Sequence, residues 1–174
     1  MKTKTEKILA LMRVLSWVAF IGLSLGTVVI FFTWCIGIFN PQILGRLKAD
    51  FNLVAVYEYS FWYFTTTLSF FIVLAALKAY IAFLVIRVLS KIKMSNPFTT
   101  DVTRLIERIS YAYFGSWLIV MLFNMHVSWL ERRIPGVGID HMSSEFILLA
   151  GVVFIISQVF KRGIELQSES ELTV

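Results

Sequence analysis

Lys78 is the first residue whose chemistry needs an account, because it sits inside an apolar run from Phe61 to Ile86. A charge there is costly and by default marks a pathway or a partner. Its depth offers a plainer reading. If the run enters the bilayer near Trp62, about 20 residues reach Ala82 and leave Lys78 roughly 6 Å inside the boundary. A lysine can snorkel that far. At the other ends of the apolar runs stand Glu58, His126, Glu131, Asp140, His141 and Glu145. Imidazole and carboxylate can ligate zinc, and histidine titrates near neutral pH. His141 and Glu145 have the i, i+4 spacing of one helical face. With no second close histidine pair and no thiolate nearby, ordinary interfacial solvation is the expectation, and no metal or cofactor is expected. The single cysteine, Cys35, lies within an apolar run, so no intrachain disulfide is possible and a reactive thiolate is disfavoured. There is no Gly-rich phosphate loop, nucleophile elbow or HExxH pattern, so no enzyme is expected.

The elements that would position these residues are membrane spans. The chain is 58% hydrophobic over 174 residues, and a bilayer core about 30 Å thick needs about 20 apolar residues of helix. Runs of that kind fall at about 14–39, 61–86, 110–130 and 141–160, followed by a tail over 161–174. The last starts from a polar lead-in, His141 to Ser144, in which Ser143 or Ser144 could cap the helix. The expected fold is an all-α four-helix antiparallel membrane bundle, one domain, with short loops. The first run is too long for a cleaved signal and is read as a retained anchor.

Lys and Arg set the orientation, since positive residues in short loops stay on the cytoplasmic side. Eleven fall in the N-terminal segment, the middle loop and the tail, against four in the opposite loops. Both termini are therefore expected to be cytoplasmic. Tyr57, Tyr59, Trp62, Tyr63 and Trp129 fall at the outer ends, where aromatic residues favour the headgroup level. The net charge of +5 follows from this topology and from anionic lipid, so no direct nucleic-acid partner is expected.

Asn124, Gln158, Ser69 and Thr65 to Thr67 read as interhelical hydrogen-bonding groups, with Lys78, Asn124 and Gln158 as the candidate intramembrane polar set. Gly22 and Gly26 have the small-xxx-small spacing of close helix contacts, within the bundle or in a homo-oligomer. In the middle loop Ser95-Asn96-Pro97-Phe98 should break the second helix. Thr99 or Thr100 should then cap a short amphipathic helix with Val102, Leu105, Ile106 and Ile109 on one face. Gly163 reads as a helix break. Beyond it Ile164, Leu166 and Leu172 should fold back onto that face, and Glu165, Glu169 and Glu171 should oppose Lys91, Lys93, Arg104 and Arg108.

Asn96-Pro97-Phe98, the helix bearing Arg104 and Arg108, and the ending F-K-R-G-x-x-L-Q-x-E-x-x-L-T-V from Phe160 together resemble the bacterial family catalogued as domain of unknown function 2975. The resemblance spans essentially the whole chain. It implies a small four-helix protein of the bacterial inner membrane. Members of such families are often encoded beside a helix-turn-helix regulator, and no catalytic residue is carried over. The expected function is a membrane-embedded sensor or protein-interaction module engaging a protein at its cytoplasmic face, through Pro97, Phe98, Arg104, Arg108, Gly163, Leu166 and Glu169. The alternative is a small transporter, channel or export/immunity component, in which a polar path would join Lys78 to Asn124 or Gln158.

Overall fold

Apolar length dictates the architecture. In the computed structural model, which describes residues 4–51, 53–92 and 97–172, four helices are long and apolar enough to cross a membrane. They are α1 (Lys4–Phe39), α4 (Phe61–Lys91), α5 (Thr100–Glu131) and α6 (Phe146–Leu172). The chain is a multi-pass membrane protein. α1 packs on α4, α4 on α5 and α5 on α6, while α1 and α6 share no comparable interface. The four therefore form a row curved around α4 and α5 rather than a closed ring. None of the apolar window of α1 is buried, against 33% in α4 and in α5. Apolar residues exposed along one face of it, such as Leu11, Val18, Leu25 and Phe32, are what lipid contact allows.

One end, the cap end, is built from residues between the first two spans, a stretch with no span-like signal of its own. A 3₁₀ turn (Pro41–Ile43) and two short helices, α2 (Leu44–Asp50) and α3 (Val54–Tyr59), fold over the bundle. Leu44, Leu53 and Val56 are fully buried with Phe64, Leu68, Phe123 and Val127 in one cluster. Gly37 permits this, because the Leu44 side chain occupies the space a Cβ there would take. Lys48 Nζ lies 3.9 Å from the centroid of the Tyr57 ring, so its charge is held over the cap's aromatic surface.

At the opposite end, where α1 begins and α6 ends, a second cluster joins Ile81, Leu84 and Val88 of α4 to Val102, Leu105, Ile106 and Ile109 of α5. Thr99 caps α5, its Oγ1 accepting from the Val102 N–H at 3.4 Å. The buried apolar face is as expected, but no separate short helix exists here. These turns run unbroken into the third long helix. Arg13 reaches across from α1 to donate to the Leu89 carbonyl at 2.9 Å, satisfying a backbone acceptor in the last turns of α4. Lys93, Ser95, Asn96, Thr173 and Val174 lie outside the described residues, as do the side chains of Glu171 and Leu172.

The buried serines in the helices are small, which lets backbones approach closely, and each is satisfied, whereas Trp34 Nε1 and Thr65 Oγ1 are buried with no hydrogen-bond partner among the described residues. Ser110 Oγ donates across to the Ala150 carbonyl at 2.9 Å, Ser116 to Ala112 within its own helix at 2.9 Å, and Ser157 to Phe154 at 2.7 Å. A Cβ added at Gly22 or Gly26 would meet nothing within 4 Å, so neither glycine serves packing within this chain.

The fourth span begins late. Residues 141–145 are not helical and α6 starts at Phe146, so the expected 141–160 span is shortened at its start. The Phe146 ring lies against Tyr113, 6.4 Å between centroids, which places the first turn of α6 deep in the bundle. Tyr113 is 18 residues before Glu131, or about 27 Å along α5 at 1.5 Å per residue. Residues 132–145, with a turn at Gly136 (φ 81°), thus descend beside α5 in non-helical form.

Candidate functional site

Non-helical backbone at membrane depth is tolerated only where protein or a water-lined cavity covers it. Here Asn124 supplies the cover. Its Nδ2 donates to the Met142 carbonyl and its Oδ1 accepts from the Met142 N–H, both at 2.9 Å. One amide side chain so replaces a full peptide partner. Nearby, His141 Nε2 lies 3.0 Å from Ser128 Oγ, and its Nδ1 is 4.0 Å from Glu131, too far for a hydrogen bond. Because residues 141–145 are not helical, His141 and Glu145 do not share a helical face. Ser143 does help start α6, its Oγ accepting from the Glu145 N–H at 3.4 Å.

His126 faces α4. Thr67 donates its one hydroxyl proton to the Tyr63 carbonyl at 2.7 Å, so at 3.0 Å it accepts from His126 and fixes the proton on Nε2. The ring is stacked with Trp129, 6.4 Å between centroids. Among the described residues no three His, Cys, Asp or Glu side chains gather as a metal site would need.

The three intramembrane polar candidates do different things. Asn124 holds the re-entrant segment and lines a cavity with Trp117 and Ser128. Gln158 donates to its neighbour Ser157 at 3.3 Å. Lys78 lines a cleft of about 500 Å³ between α1, α4 and the start of α6, together with Phe71, Leu74, Phe146 and Leu149. Glu145 lines that same cleft. The sequence placed Glu145 at the outer surface, and the late start of α6 brings it inside. Lys78 and Asn124 thus line different cavities, and Gln158 lines neither of them.

At the terminal end, Gly163 is not a helix break, since α6 continues through it to Leu172. It is a point of close approach. A Cβ at 163 would stand 2.6 Å from Phe98 Cδ1 and 2.9 Å from Cε1. The Phe98 ring, pinned over α6, also meets Phe160 edge-on at 5.2 Å. The result is a groove of about 630 Å³ lined by Pro97, Phe98, Val159, Gly163 and Leu166, with Arg162 and Gln167 at its rim. Leu166 is 52% exposed there rather than folded onto the α5 face, where Val153 and Phe160 pack instead. The expected fold-back of the tail is therefore replaced by a straight helix.

Charge pairs follow this geometry. Lys161 meets Glu107 at 2.6 Å, Arg162 meets Glu165 at 2.7 Å, and Lys91 meets Asp101 at 2.5 Å. Glu165 thus pairs within its own helix and not with the middle loop. Of the expected interaction residues, Pro97, Phe98, Gly163 and Leu166 come together. Arg104 and Arg108 are exposed on α5 outside the groove, and Glu169 is exposed one turn beyond Leu166.

A family model described as a protein of unknown function, DUF2975, matches residues 47–174. The chain belongs to this family. Comparison with curated proteins and with solved structures returns no match. The match is narrower than the near-complete resemblance read from the sequence, since it begins within α2 and leaves α1 outside. The groove at the terminal end lies wholly within the family region, whereas the Lys78 cleft takes one wall from α1.

Proposed function

We propose that the protein is a membrane-embedded sensor or protein-interaction module of the bacterial inner membrane, with both termini cytoplasmic, that presents the Phe98 groove to a soluble protein. The observation that carries this reading is an open apolar groove built on a rigid helix, with Leu166 exposed in its floor and Phe98 pinned by Gly163. An exposed apolar patch beyond the lipid zone ordinarily marks an interaction surface. Exposed Arg104 and Arg108 nearby favour a partner segment that carries an apolar side chain with acidic neighbours. A helix-turn-helix regulator held at the membrane is one protein of this kind. The transport alternative has less support, because Lys78 and Asn124, which it would string together, line different cavities.

The orientation rests on the eleven-to-four distribution of Lys and Arg. Reporter fusions after Lys93 and Val174 should give a cytoplasmic signal, and one after Gly136 an exterior signal. An exterior signal at Val174 would remove the groove from the side on which a regulator could reach it.

A photo-crosslinking residue at position 166 tests the groove in living cells. It should capture one discrete protein, which the same residue at the lipid-facing position 148 does not. Gly163→Val must displace the Phe98 ring, and losing one anchor of this kind should weaken capture about tenfold. Capture of lipid alone at both positions would refute the reading.

A further inference from the structure

Lys78 and Glu145 carry opposite charges into one cleft of about 500 Å³ inside the apolar zone, yet do not meet. Neither side chain has a hydrogen bond or ion pair with another described residue. Intramembrane charges ordinarily pair with each other or with a substrate. Lys78 could retreat by snorkelling, but Glu145 cannot. Its backbone is pinned on one side by the Asn124–Met142 hydrogen bonds and on the other by the Ser110–Ala150 bond. Its backbone is thus held just before α6, halfway down the bundle.

Below Lys78 a second cavity of about 440 Å³ continues the cleft. Its walls are Ala19 and Leu23 of α1, Ile81 and Val85 of α4, and it shares Lys78 with the first cavity. From Lys78 to Val85 this slot runs about 10 Å along α4. Because α1 and α6 share no comparable interface, the whole crevice opens sideways toward lipid. It therefore offers a positive group, a negative group and an apolar slot, reachable from the bilayer.

We infer that this crevice binds a single-chain zwitterionic amphiphile. Its acidic group pairs with Lys78 Nζ, its ammonium with the Glu145 carboxylate, and its chain lies in the slot against Leu23, Ile81 and Val85. Such a ligand satisfies both charges at once, which neither an anionic nor a cationic amphiphile can do. This site is separate from the Phe98 groove, and binding here stands or falls independently of it.

The full chain, purified in a neutral maltoside detergent, can be tested by native mass spectrometry and by thermal unfolding with three probes. These are lysophosphatidylethanolamine, lysophosphatidylglycerol and an alkylamine of the same chain length. One copy of the zwitterion should bind about tenfold tighter than either singly charged probe, as one charge-assisted contact implies. Lys78→Met should remove the preference over the alkylamine, and Glu145→Gln the preference over lysophosphatidylglycerol. Without ligand, Lys78→Met should leave the apparent Tm within about 2 °C, since no described residue pairs with it. Equal retention of all three probes by the native protein would overturn the proposal. So would a preference over both singly charged probes that survives either substitution.

Discussion

Asn124→Leu is expected to cost about 2–6 kcal/mol of stability, because it strips two partners from a backbone that has no other. The Met142 N–H and carbonyl both bond to this one side chain at 2.9 Å, and each buried group left unsatisfied costs about 1–3 kcal/mol. Hydrogen bonds between membrane helices often measure less, since an unfolded span keeps its own helical bonds. Residues 141–145 have no helix to fall back on, so the full penalty applies. In detergent the apparent Tm should fall by about 4–24 °C, at about 2–4 °C per kcal/mol for a chain of this size. Asn124→Asp keeps the acceptor for the Met142 N–H and loses the donor, so it should fall between the two. A leucine variant within about 1 °C of the native protein would show that the segment is held by something else.

This staple also explains where sequence reasoning stops. Long runs such as Phe61 to Ile86 announce their helices, because length and apolarity alone decide a span. The His141 to Glu145 stretch fits a helical spacing equally well, and nothing local distinguishes the two. What decides is a residue 18 positions away, Asn124, whose amide mimics a peptide and holds Met142 out of the helix. Once α6 starts at Phe146, Glu145 moves from the surface into the cleft with Lys78. The intramembrane set therefore differs from the expected one in membership as well as in arrangement. A pointer is present: an amide inside an otherwise apolar stretch of α5 implies a backbone or side chain for it to satisfy.

Gly163 shows the same limit at the terminal end. Glycine near the end of an apolar run ordinarily signals a helix stop, but here the missing Cβ admits the Phe98 ring while the helix continues. Four of the residues expected at the interaction face, Pro97, Phe98, Gly163 and Leu166, do come together. Their arrangement differs, since Leu166 stays exposed instead of docking on Val102 and Leu105.

The cap is illegible for a different reason. Helices of 7 and 6 residues, α2 and α3, fall below the length at which isolated helices hold, so only tertiary packing specifies them. Leu44 is the residue through which that packing acts. It is fully buried, and it sits where Gly37 leaves room. Leu44→Ala should therefore cost about 2–5 kcal/mol, whereas Leu148→Ala, at 70% exposure on the lipid face, should change stability by less than about 0.5 kcal/mol. The contrast follows from the reference state: a cap residue is released into water on unfolding, while a lipid-facing leucine has hydrocarbon around it before and after. Gly37→Ala alone should also destabilise, because its new methyl competes with the Leu44 side chain for one space. Combined with Leu44→Ala, that methyl enters the vacated volume. The double variant should then be more stable than the two single losses predict, by about 0.5–3 kcal/mol for residues in direct contact. Simple additivity of the two in thermal unfolding would mean that Leu44 does not dock over Gly37, and that the cap is held from elsewhere.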